Sequence, residues 1–419
     1  MAPDGGLYMP CSIPAIPRAL FNNIGDMNLR EIAFIVASSF LGEDLPSHDI
    51  KALVDETFRE DIPLVPLGGD MYALELFHGT SMTFKDYGAR FMARLLQCFD
   101  ARRGVRVRNV LVSSTGNSGA ATANGLYGLR GLNVGVLFPR GILSRMQMAQ
   151  FTSLGGNIYP IEVDGSIEDC KRLVREALAD PTMADLSLTG GNSINIGRLI
   201  PQIVFVFQAY AGLCRLGARR AQEAVYSIPC GNMSNLVAAL MGMRMGLPAG
   251  GITGVCNVND SLGRCMRGDK VPAAPVATLA PSLDTVSPSG LPRLRHLTGG
   301  NPASERGLRV ADAVTDREIA AAVLRLRAEH GYTIDPHGGA ALAAANALGI
   351  PGVPKVVYAT GHPAKYLDIM TRITGSPVEL PVQLNRFMNG KRRITHIPAT
   401  LPALRRCLRT MTGAHNNSN

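Results

Sequence analysis

The amino-acid sequence predicts an α/β fold in which mostly parallel, twisted sheets are flanked by helices on both faces. Short apolar runs alternate with helix-length amphipathic segments along most of the chain, the pattern of strand–helix–strand units. Polar, glycine-containing turns follow several of these runs, as they do at the ligand-binding edge of such sheets. The chain has 419 residues, enough for two domains or one bilobal unit.

The elements are expected in the following order. Apolar residues at helical spacing predict helices over 29–37 and 49–58, before Pro63 and Pro66 interrupt the pattern. The segment 270–300 is rich in Pro, Ser and Gly, which predicts a long loop. The predicted strands are 109–113, 132–138, 157–163, 224–228 and 355–359, and the helices that follow them begin near residues 119, 144, 167, 235 and 364.

Composition narrows the functional classes. Hydrophobic residues make up 46% and charged residues 18%, which argues against a disordered chain. The net charge of +9 raises the alternative of a nucleic-acid-binding protein, with basic clusters in Arg102–Arg108 and Arg405–Arg409. No zinc-ligand spacing, basic-helix repeat or aromatic RNA-binding signature accompanies the charge. We therefore expect no nucleic-acid partner and a basic surface that attracts anionic substrates.

The cysteines and the apolar segments predict an intracellular chain. The eight cysteines form no CxxC pair, which fits reduced thiols and indicates no metal site or disulfide framework. The first ten residues, MAPDGGLYMP, lack the charge and apolar pattern of a signal peptide. The apolar segment Leu199–Cys214 is interrupted by Pro201, Gln202 and Gln208, so we interpret it as a buried helix. A cytoplasmic protein without a membrane partner is expected.

Lys85 is the first candidate for chemistry. It lies in the segment 76–91, and it is one of seven lysines in a chain that otherwise uses arginine. A lysine here indicates chemistry that arginine cannot perform, namely imine formation. The alternative is a surface lysine that begins a helix.

Two turns have the composition of anion sites. The turn Ser113–Gly119 follows a strand and opens a helix, and so does the turn Pro229–Asn235. Small polar residues and glycines at a helix N-terminus expose backbone N–H groups to a phosphate or carboxylate. Plain helix capping, by Asn117 or Ser118 in the first turn, is the alternative. Two such turns favour a cofactor phosphate together with an anionic substrate. Neither turn matches the dinucleotide or nucleoside-triphosphate motif.

Three further positions follow strand-like runs or turns. Arg198 ends the polar turn 191–198, where its forked donors suit a phosphate or carboxylate, with a salt-bridged structural arginine as the alternative. Thr360 follows the last strand and offers a hydroxyl to a cofactor ring nitrogen. His337 is interpreted as an acid–base group or as a residue that begins a helix.

Together these segments resemble the threonine synthase family. The similarity extends from Ala2 to about residue 375. It is carried, in chain order, by Glu75–Gly79, Phe84–Asp86, Gly88–Arg94, Leu154–Asn157, Asn192–Asn195, Asn257–Asp260 and His362–Lys365. The resemblance implies the bilobal fold type II of pyridoxal-phosphate (PLP) enzymes.

The resemblance also implies site residues. Lys85 would bind PLP covalently through an imine and then move protons. Asn117 would hydrogen-bond the phenolic oxygen of the cofactor, and Thr360 would face its ring nitrogen. The residues implied to hold the cofactor phosphate are Gly231, Asn232, Met233, Ser234 and Asn235. Those implied to bind substrate are Ser114, Thr115, Gly116 and Ser118 at the carboxylate, and Ser193 and Arg198 at the phosphate.

The implied activity is a lyase reaction. Members of the family convert O-phospho-L-homoserine and water to L-threonine and phosphate by γ-elimination and β-hydration. The substrate is a small anionic amino acid, and the implied assembly is a monomer or homodimer. The implied division is an N-terminal helical segment (1–70), a large PLP-binding domain (71–98 and 200–400), a small mobile domain (99–199) and a C-terminal tail (401–419).

Several positions depart from the family pattern. Cys230, Met233 and Ser234 replace the usual Ser, Phe and Gly of the cofactor-phosphate turn. Gly290 stands where asparagine is usual, and Ile142 where lysine is frequent. These changes define an alternative: a diverged PLP enzyme that performs elimination or β/γ-replacement on a related (phospho)amino acid, for example in specialised metabolism. A cofactor-binding protein without catalysis is a further alternative, against which Lys85 argues.

Overall fold

The computed structural model describes residues 6–416, and the side chains of residues 6–411. Eleven strands and sixteen α-helices alternate over this part of the chain. The helices are α1 (Arg18–Asn22), α2 (Leu29–Leu41), α3 (Ser47–Thr57), α4 (Lys85–Arg103), α5 (Asn117–Leu126), α6 (Arg145–Thr152), α7 (Ile167–Ala179), α8 (Ile200–Arg215), α9 (Ser234–Arg244), α10 (Ser261–Arg267), α11 (Leu291–Leu297), α12 (Asp316–His330), α13 (Pro336–Ala347), α14 (Leu367–Thr374), α15 (Val382–Met388) and α16 (Leu401–Asn416).

The strands form two separate sheets. They are β1 (Leu64–Pro66), β2 (Met71–Glu75), β3 (Arg108–Ser113), β4 (Leu132–Pro139), β5 (Ile158–Asp164), β6 (Leu188–Gly190), β7 (Val225–Pro229), β8 (Gly251–Val255), β9 (Leu308–Val310), β10 (Lys355–Ala359) and β11 (Thr395–Pro398). The six-stranded sheet has the order β1-β2-β10-β7-β8-β9, and the five-stranded sheet has the order β11-β5-β4-β3-β6. Apart from the antiparallel β1–β2 pair, the strands pair in parallel. The predicted α/β fold with mostly parallel sheets is confirmed.

Local sequence explains where several helices begin. Four of them, α2, α6, α7 and α12, start with a capping box, in which the N-cap side chain and the residue three positions later bond each other's backbone. The pairs are Asn28 with Glu31, Ser144 with Gln147, Ser166 with Asp169, and Thr315 with Glu318.

The apolar helix α8 is the centre of the larger core. All its residues from Ile200 to Leu213 are buried, against α2, α9 and the six-stranded sheet. By length and composition the segment Ile196–Arg215 could cross a membrane. However, 94% of its apolar window is buried inside the protein, as is typical of a core helix. The prediction of a buried helix is confirmed.

The predicted domain limits do not coincide with the observed elements in three places. Strand β1 joins the six-stranded sheet, although residues 1–70 were expected to be a helical segment. Strand β11 joins the five-stranded sheet, although residues 200–400 were assigned to the large domain. The expected tail 401–419 is helical as far as Asn416, and 417–419 lie outside the described residues. Leu404 and Leu408 bury α16 against the five-stranded sheet, which explains why this segment folds.

The expected loop 270–300 is also partly ordered into helix. It contains a 3₁₀ turn at Pro281–Leu283 and the helix α11. Pro292 near the start of α11 is compatible with its first turn, where the missing N–H is not needed.

Candidate active site

The candidate site lies where the carboxyl ends of strands from both sheets meet. Strands β2, β10 and β7 are neighbours, so the segments that follow them bring Lys85, Thr360 and Gly231 together. A cavity opens there. The predicted residues that line it are Lys85, Ser118, Ser193, Arg198, Gly231, Asn232, Met233, Ser234, Asn235 and Thr360.

Lys85 is the first residue of α4, and two contacts with the segment after β10 hold it there. The backbone N–H of Phe84 donates to the carbonyl oxygen of Thr360 at 3.0 Å, and Thr83 pairs with Gly361. No hydrogen bond to Lys85 Nζ is formed within residues 6–411. Burial, helped by the positive charge of Arg198, lowers the pKa of the Lys85 amine to about 8. The site therefore holds a lysine that is partly neutral near neutral pH, as a nucleophilic amine requires.

The titration of Lys85 can be measured directly. In the cofactor-free protein we expect the amine to lose its proton at about pH 8, rather than near its ordinary 10.5, because burial disfavours the charged form. Reductive ¹³C-methylation of the seven lysines followed by NMR titration would resolve it. The variant Arg198→Met should raise the pKa, since it removes a nearby positive charge. An unshifted Lys85 signal would contradict the expectation.

The turn after β7 is shaped to hold an anion. Helix α9 starts from Met233, whose left-handed backbone (φ 62°) turns the chain, and the Met233 side chain does not cap the helix. The Asn235 side chain is buried with its Oδ1 unpartnered. At Gly231, an added Cβ would lie 2.1 Å from the carbonyl oxygen of Ser282. The turn thus offers N–H groups at a helix start to a phosphate.

Gly231→Ala is expected to damage this turn. The added methyl group collides with backbone, which cannot rotate away as a side chain would. We expect PLP affinity to fall by about tenfold or more, a loss of about 1.4 kcal/mol, as measured by equilibrium dialysis. Gly190→Ala is the matched control, because its Cβ would meet its nearest neighbour at an ordinary 3.5 Å. Equal affinity in both variants would refute the expectation.

The turn after β3 is only partly as predicted. Ser118 lines the cavity, whereas Ser114, Thr115, Gly116 and Asn117 do not. Ser114 Oγ accepts hydrogen bonds from the N–H groups of Gly116 and Gly119, at 2.9 and 2.7 Å. Its hydroxyl shapes the turn, so the geometry gives no support to direct substrate binding by Ser114. Gly116 has a φ of 122°, which is why glycine is required there.

The side chain of Asn117 is hydrogen-bonded to the segment that follows β10. Its Nδ2 donates to the hydroxyl of Tyr366 at 2.7 Å, and its Oδ1 is buried without a partner. Tyr366 belongs to the segment after β10 that also carries Thr360. The amide is thereby held between the two sheets, with one polar atom still to be satisfied.

Arg198 is a buried arginine whose bonds go to neutral oxygens. Its guanidinium donates to the carbonyl of Gly191 at 2.5 Å, to Thr122 Oγ1 at 3.1 Å and to the carbonyl of Lys85 at 3.4 Å. No carboxylate within residues 6–411 forms an ion pair with it, and burial lowers its pKa to about 10. A structural salt bridge, the alternative predicted for this arginine, is therefore wrong. The charge of Asp86 acts on Arg198 without forming a salt bridge, so the guanidinium can still bind an anion in the cavity.

The ring of His337 is held by hydrogen bonds within the protein. Its Nδ1 lies 2.5 Å from Asp335 Oδ2, and its Nε2 accepts from the N–H of Ser282 at 3.0 Å. With both ring nitrogens engaged, His337 holds the wall of the cavity and the start of α13. Of the two interpretations given for His337, these contacts favour a residue that begins a helix.

The structure adds residues that sequence reasoning missed. Gln202 lines the cavity one turn after Arg198, and its Oε1 has no partner. Lys365 is buried behind the site, where its Nζ donates to the carbonyl of Ser81 and to Gln150 Oε1. Burial lowers the pKa of Lys365 to about 7. Its position in the His362–Lys365 segment was a usable signal, whereas nothing local distinguishes Gln202 from a core-helix residue.

Comparison with known proteins identifies the family. Three family models match the chain: "Pyridoxal-phosphate dependent enzyme" over residues 61–361, "Threonine synthase N terminus" over 1–58, and "Threonine synthase, C-terminal" over 339–407. The threonine synthase of Escherichia coli K12 is 32% identical over 405 residues, covering 96% of this chain and 93% of the relative. The chain belongs to the threonine synthase family. The threonine synthase of Serratia marcescens is 33% identical over 381 residues, covering 90% and 87%.

Solved structures of threonine synthases agree with this membership. The E. coli enzyme superimposes with a TM-score of 0.89 at 31% identity, covering 98% of this chain and 94% of that one. The PLP-bound enzyme of Brucella melitensis also gives a TM-score of 0.89, at 29% identity. Fold type II and the PLP cofactor are thereby established for this family member.

The residues present fit PLP. Gly231 and the start of α9 suit its phosphate, the unpartnered oxygen of Asn235 belongs to a residue of the cavity lining, and the Lys85 amine has a lowered pKa. In the described residues no group of three or more His, Cys, Asp or Glu side chains is placed to hold a metal ion.

One departure from the threonine synthase pattern has a structural explanation, and another lies at the surface. The N–H of Gly290 donates to the carbonyl of Asn232 at 3.0 Å, and a Cβ at Gly290 would lie 2.4 Å from that oxygen. This backbone therefore admits only glycine at position 290. Ile142 is 60% exposed and lies outside the cavity lining.

Proposed function

We propose that this protein converts O-phospho-L-homoserine and water to L-threonine and phosphate. The observation that carries the proposal is one cavity joining a lysine of lowered pKa to two separate anion sites. The start of α9 suits the cofactor phosphate, and Arg198 with Ser193 suits a second phosphate. A substrate that carries its own phosphate accounts for both sites.

Bound PLP supplies an electron sink for negative charge that develops on the substrate carbons. Lys85 Nζ removes and returns protons at those carbons, for which a flexible primary amine of lowered pKa is suited. Ser118, at the start of α5 and in the cavity lining, binds the substrate carboxylate. Thr360 places a hydroxyl, not a carboxylate, near the cofactor ring.

Arg198 acts on the leaving group. Its guanidinium is buried and unpaired by any carboxylate of the described residues, so its charge stabilises the phosphate as the bond to Cγ breaks. Ser193 lines the same side of the cavity and offers a hydroxyl to the phosphate. Water must then reach Cβ, and the unpartnered Oε1 of Gln202 is an acceptor on that wall.

The alternative of a diverged PLP enzyme is not favoured. The relatives and structures that cover nearly all of this chain are threonine synthases. Two of the changes that motivated the alternative lie at Gly290, which packs on the cofactor turn, and at Ile142, which is exposed. The presence of Arg198 in an unpaired state supports a phosphorylated substrate.

The test is an assay with O-phospho-L-homoserine in which phosphate and threonine are both followed. Equal amounts of the two products support the proposal. Phosphate without threonine would indicate a replacement or an elimination that ends in another product. No reaction, while the cofactor absorbance still responds to other amino acids, would reject the proposed substrate.

The proposal includes the cellular compartment, the binding partner and the assembly of the protein. The eight cysteines, all in the described part of the chain, are unpaired, which supports a reducing compartment, and we place the protein in the cytoplasm. A small anionic amino acid is its partner, and a monomer or homodimer is its assembly. The segment 99–199 is proposed to move relative to the larger lobe during turnover.

A further inference from the structure

Arg293 is a second buried arginine without an acidic partner. Its side chain is 2% exposed, and its hydrogen bonds all go to backbone carbonyl oxygens. No carboxylate within residues 6–411 is paired with it. Burying an unneutralised guanidinium is unfavourable unless hydrogen bonds satisfy it, and here four hydrogen bonds to carbonyl oxygens fix it in place. Burial lowers its pKa to about 10, which leaves it charged at neutral pH.

The carbonyls that Arg293 binds belong to the proposed substrate-phosphate turn and to the N-terminal segment. It donates to Ser193 at 2.9 Å and to Ile194 at 2.7 Å, and it makes two bonds to Tyr8 at 3.3 and 3.2 Å. Arg198 donates a hydrogen bond to the carbonyl oxygen of Gly191, at the start of the same turn. The turn is therefore held between two charged guanidinium groups.

The residues just before Arg293 reach both anion sites. Ser289 Oγ lies 3.1 Å from Ser193 Oγ, and the N–H of Gly290 donates to the carbonyl of Asn232 at 3.0 Å. Asn232 belongs to the cofactor-phosphate turn. The segment 289–293, which we call the brace, thus contacts the cofactor-phosphate turn on one side and the substrate-phosphate turn on the other.

We propose that Arg293 is a positioning residue for the substrate phosphate, and that Ser289 orients the Ser193 hydroxyl. By fixing the carbonyls of Ser193 and Ile194, Arg293 holds the turn so that Ser193 lies beside Arg198 in the cavity. The brace also sets the spacing between the two phosphate sites, because it bonds both turns. This proposal rests on the proposed function, which assigns the second anion site to a substrate phosphate.

Arginine is needed because its planar fork donates to several carbonyls at once, whereas lysine carries the charge on a single nitrogen. Arg293→Lys keeps the charge and loses the fork, and Arg293→Met loses both. Ser289→Ala removes only the hydroxyl contact. Arg295→Met is the matched control, because it removes an exposed arginine from the same helix.

The experiment measures inorganic phosphate binding to each PLP-loaded variant by isothermal titration calorimetry, together with KM, kcat and cofactor content. We expect Arg293→Met to raise the phosphate Kd and KM by about tenfold or more, since a charge-assisted contact network is lost. Arg293→Lys should show a smaller increase, and Ser289→Ala should show one of a few-fold. Cofactor content and kcat should change little, and Arg295→Met should behave as the parent.

Unchanged phosphate Kd and KM in Arg293→Met and Ser289→Ala would overturn the proposal, as would a loss confined to melting temperature or cofactor content. If Arg293→Met does not fold, Arg293→Lys and Ser289→Ala decide by the same two constants. Failure of the proposed function is distinguishable, because the parent protein would then release no phosphate from O-phospho-L-homoserine. Parent protein that binds no inorganic phosphate would also overturn the positioning role.

Discussion

Replacing Lys85 with alanine is expected to lower the rate of phosphate release from O-phospho-L-homoserine by at least about 10³-fold. Within the described residues, Lys85 is the only lysine that lines the cavity. Proton transfer by a positioned group raises a reaction rate by about 10²–10⁴-fold. Loss of covalent attachment of the cofactor adds to this. The rates are measured by following phosphate and threonine under saturating PLP.

Two further variants sharpen this experiment. Lys85→Arg keeps a positive charge but cannot form an imine, so it should be as inactive as the alanine variant. Lys171→Ala removes a surface lysine that pairs with Glu168, and it should retain activity. Borohydride reduction followed by mass spectrometry should attach the cofactor to the parent and to Lys171→Ala only. Substantial activity in Lys85→Arg would contradict the role of the amine.

Replacing Arg198 with methionine is expected to lower kcat/KM by about 10²–10³-fold, the range seen when a donor to developing charge is removed. The free energy of unfolding should change much less than this suggests. Three hydrogen bonds are lost, but so is the cost of burying an unpaired charge, and the two effects oppose each other. Thermal unfolding of the cofactor-loaded protein measures the second quantity.

The two measurements together identify the role of Arg198. A large loss of kcat/KM at nearly constant stability indicates a residue that acts on the phosphate. A large loss of stability with little kinetic effect would indicate a structural arginine instead. Arg244→Met is the matched control, because Arg244 is exposed and pairs with Glu305 outside the cavity lining. Arg198→Lys should be intermediate, since it retains charge without the fork.

Periodicity predicted several of the elements that hold the site, but not β2, the strand that precedes Lys85. The strand predicted over 355–359 is β10 itself, and the predicted run 109–113 lies inside β3. These strands are buried on both faces, so they are continuous apolar runs in the sequence. Strands β1, β2, β6, β8, β9 and β11 were not predicted. Four of these, β1, β6, β9 and β11, have only three or four residues and carry no periodic signal.

The site was predictable in its chemistry and incomplete in its geometry. Turn motifs indicated Arg198 and Gly231, and the family resemblance assigned Lys85; all three line the cavity. Ser114 was predicted from the same kind of motif, but its hydroxyl is used inside the turn. Composition cannot distinguish a hydroxyl that faces a ligand from one that caps its own backbone, because both need the same residue type in the same place.

By itself the sequence predicted the α/β class, and it indicated Lys85 and the two turns to which we assign the chemistry and the binding of anions. These features depend on residue type and on order along the chain. Only the tertiary structure decided which polar atoms remain unpaired, and that Arg293, about a hundred residues from Ser193 along the chain, holds the substrate-phosphate turn. Whether a buried charge is neutralised depends on every group packed around it, and those groups come from distant segments that no local pattern records.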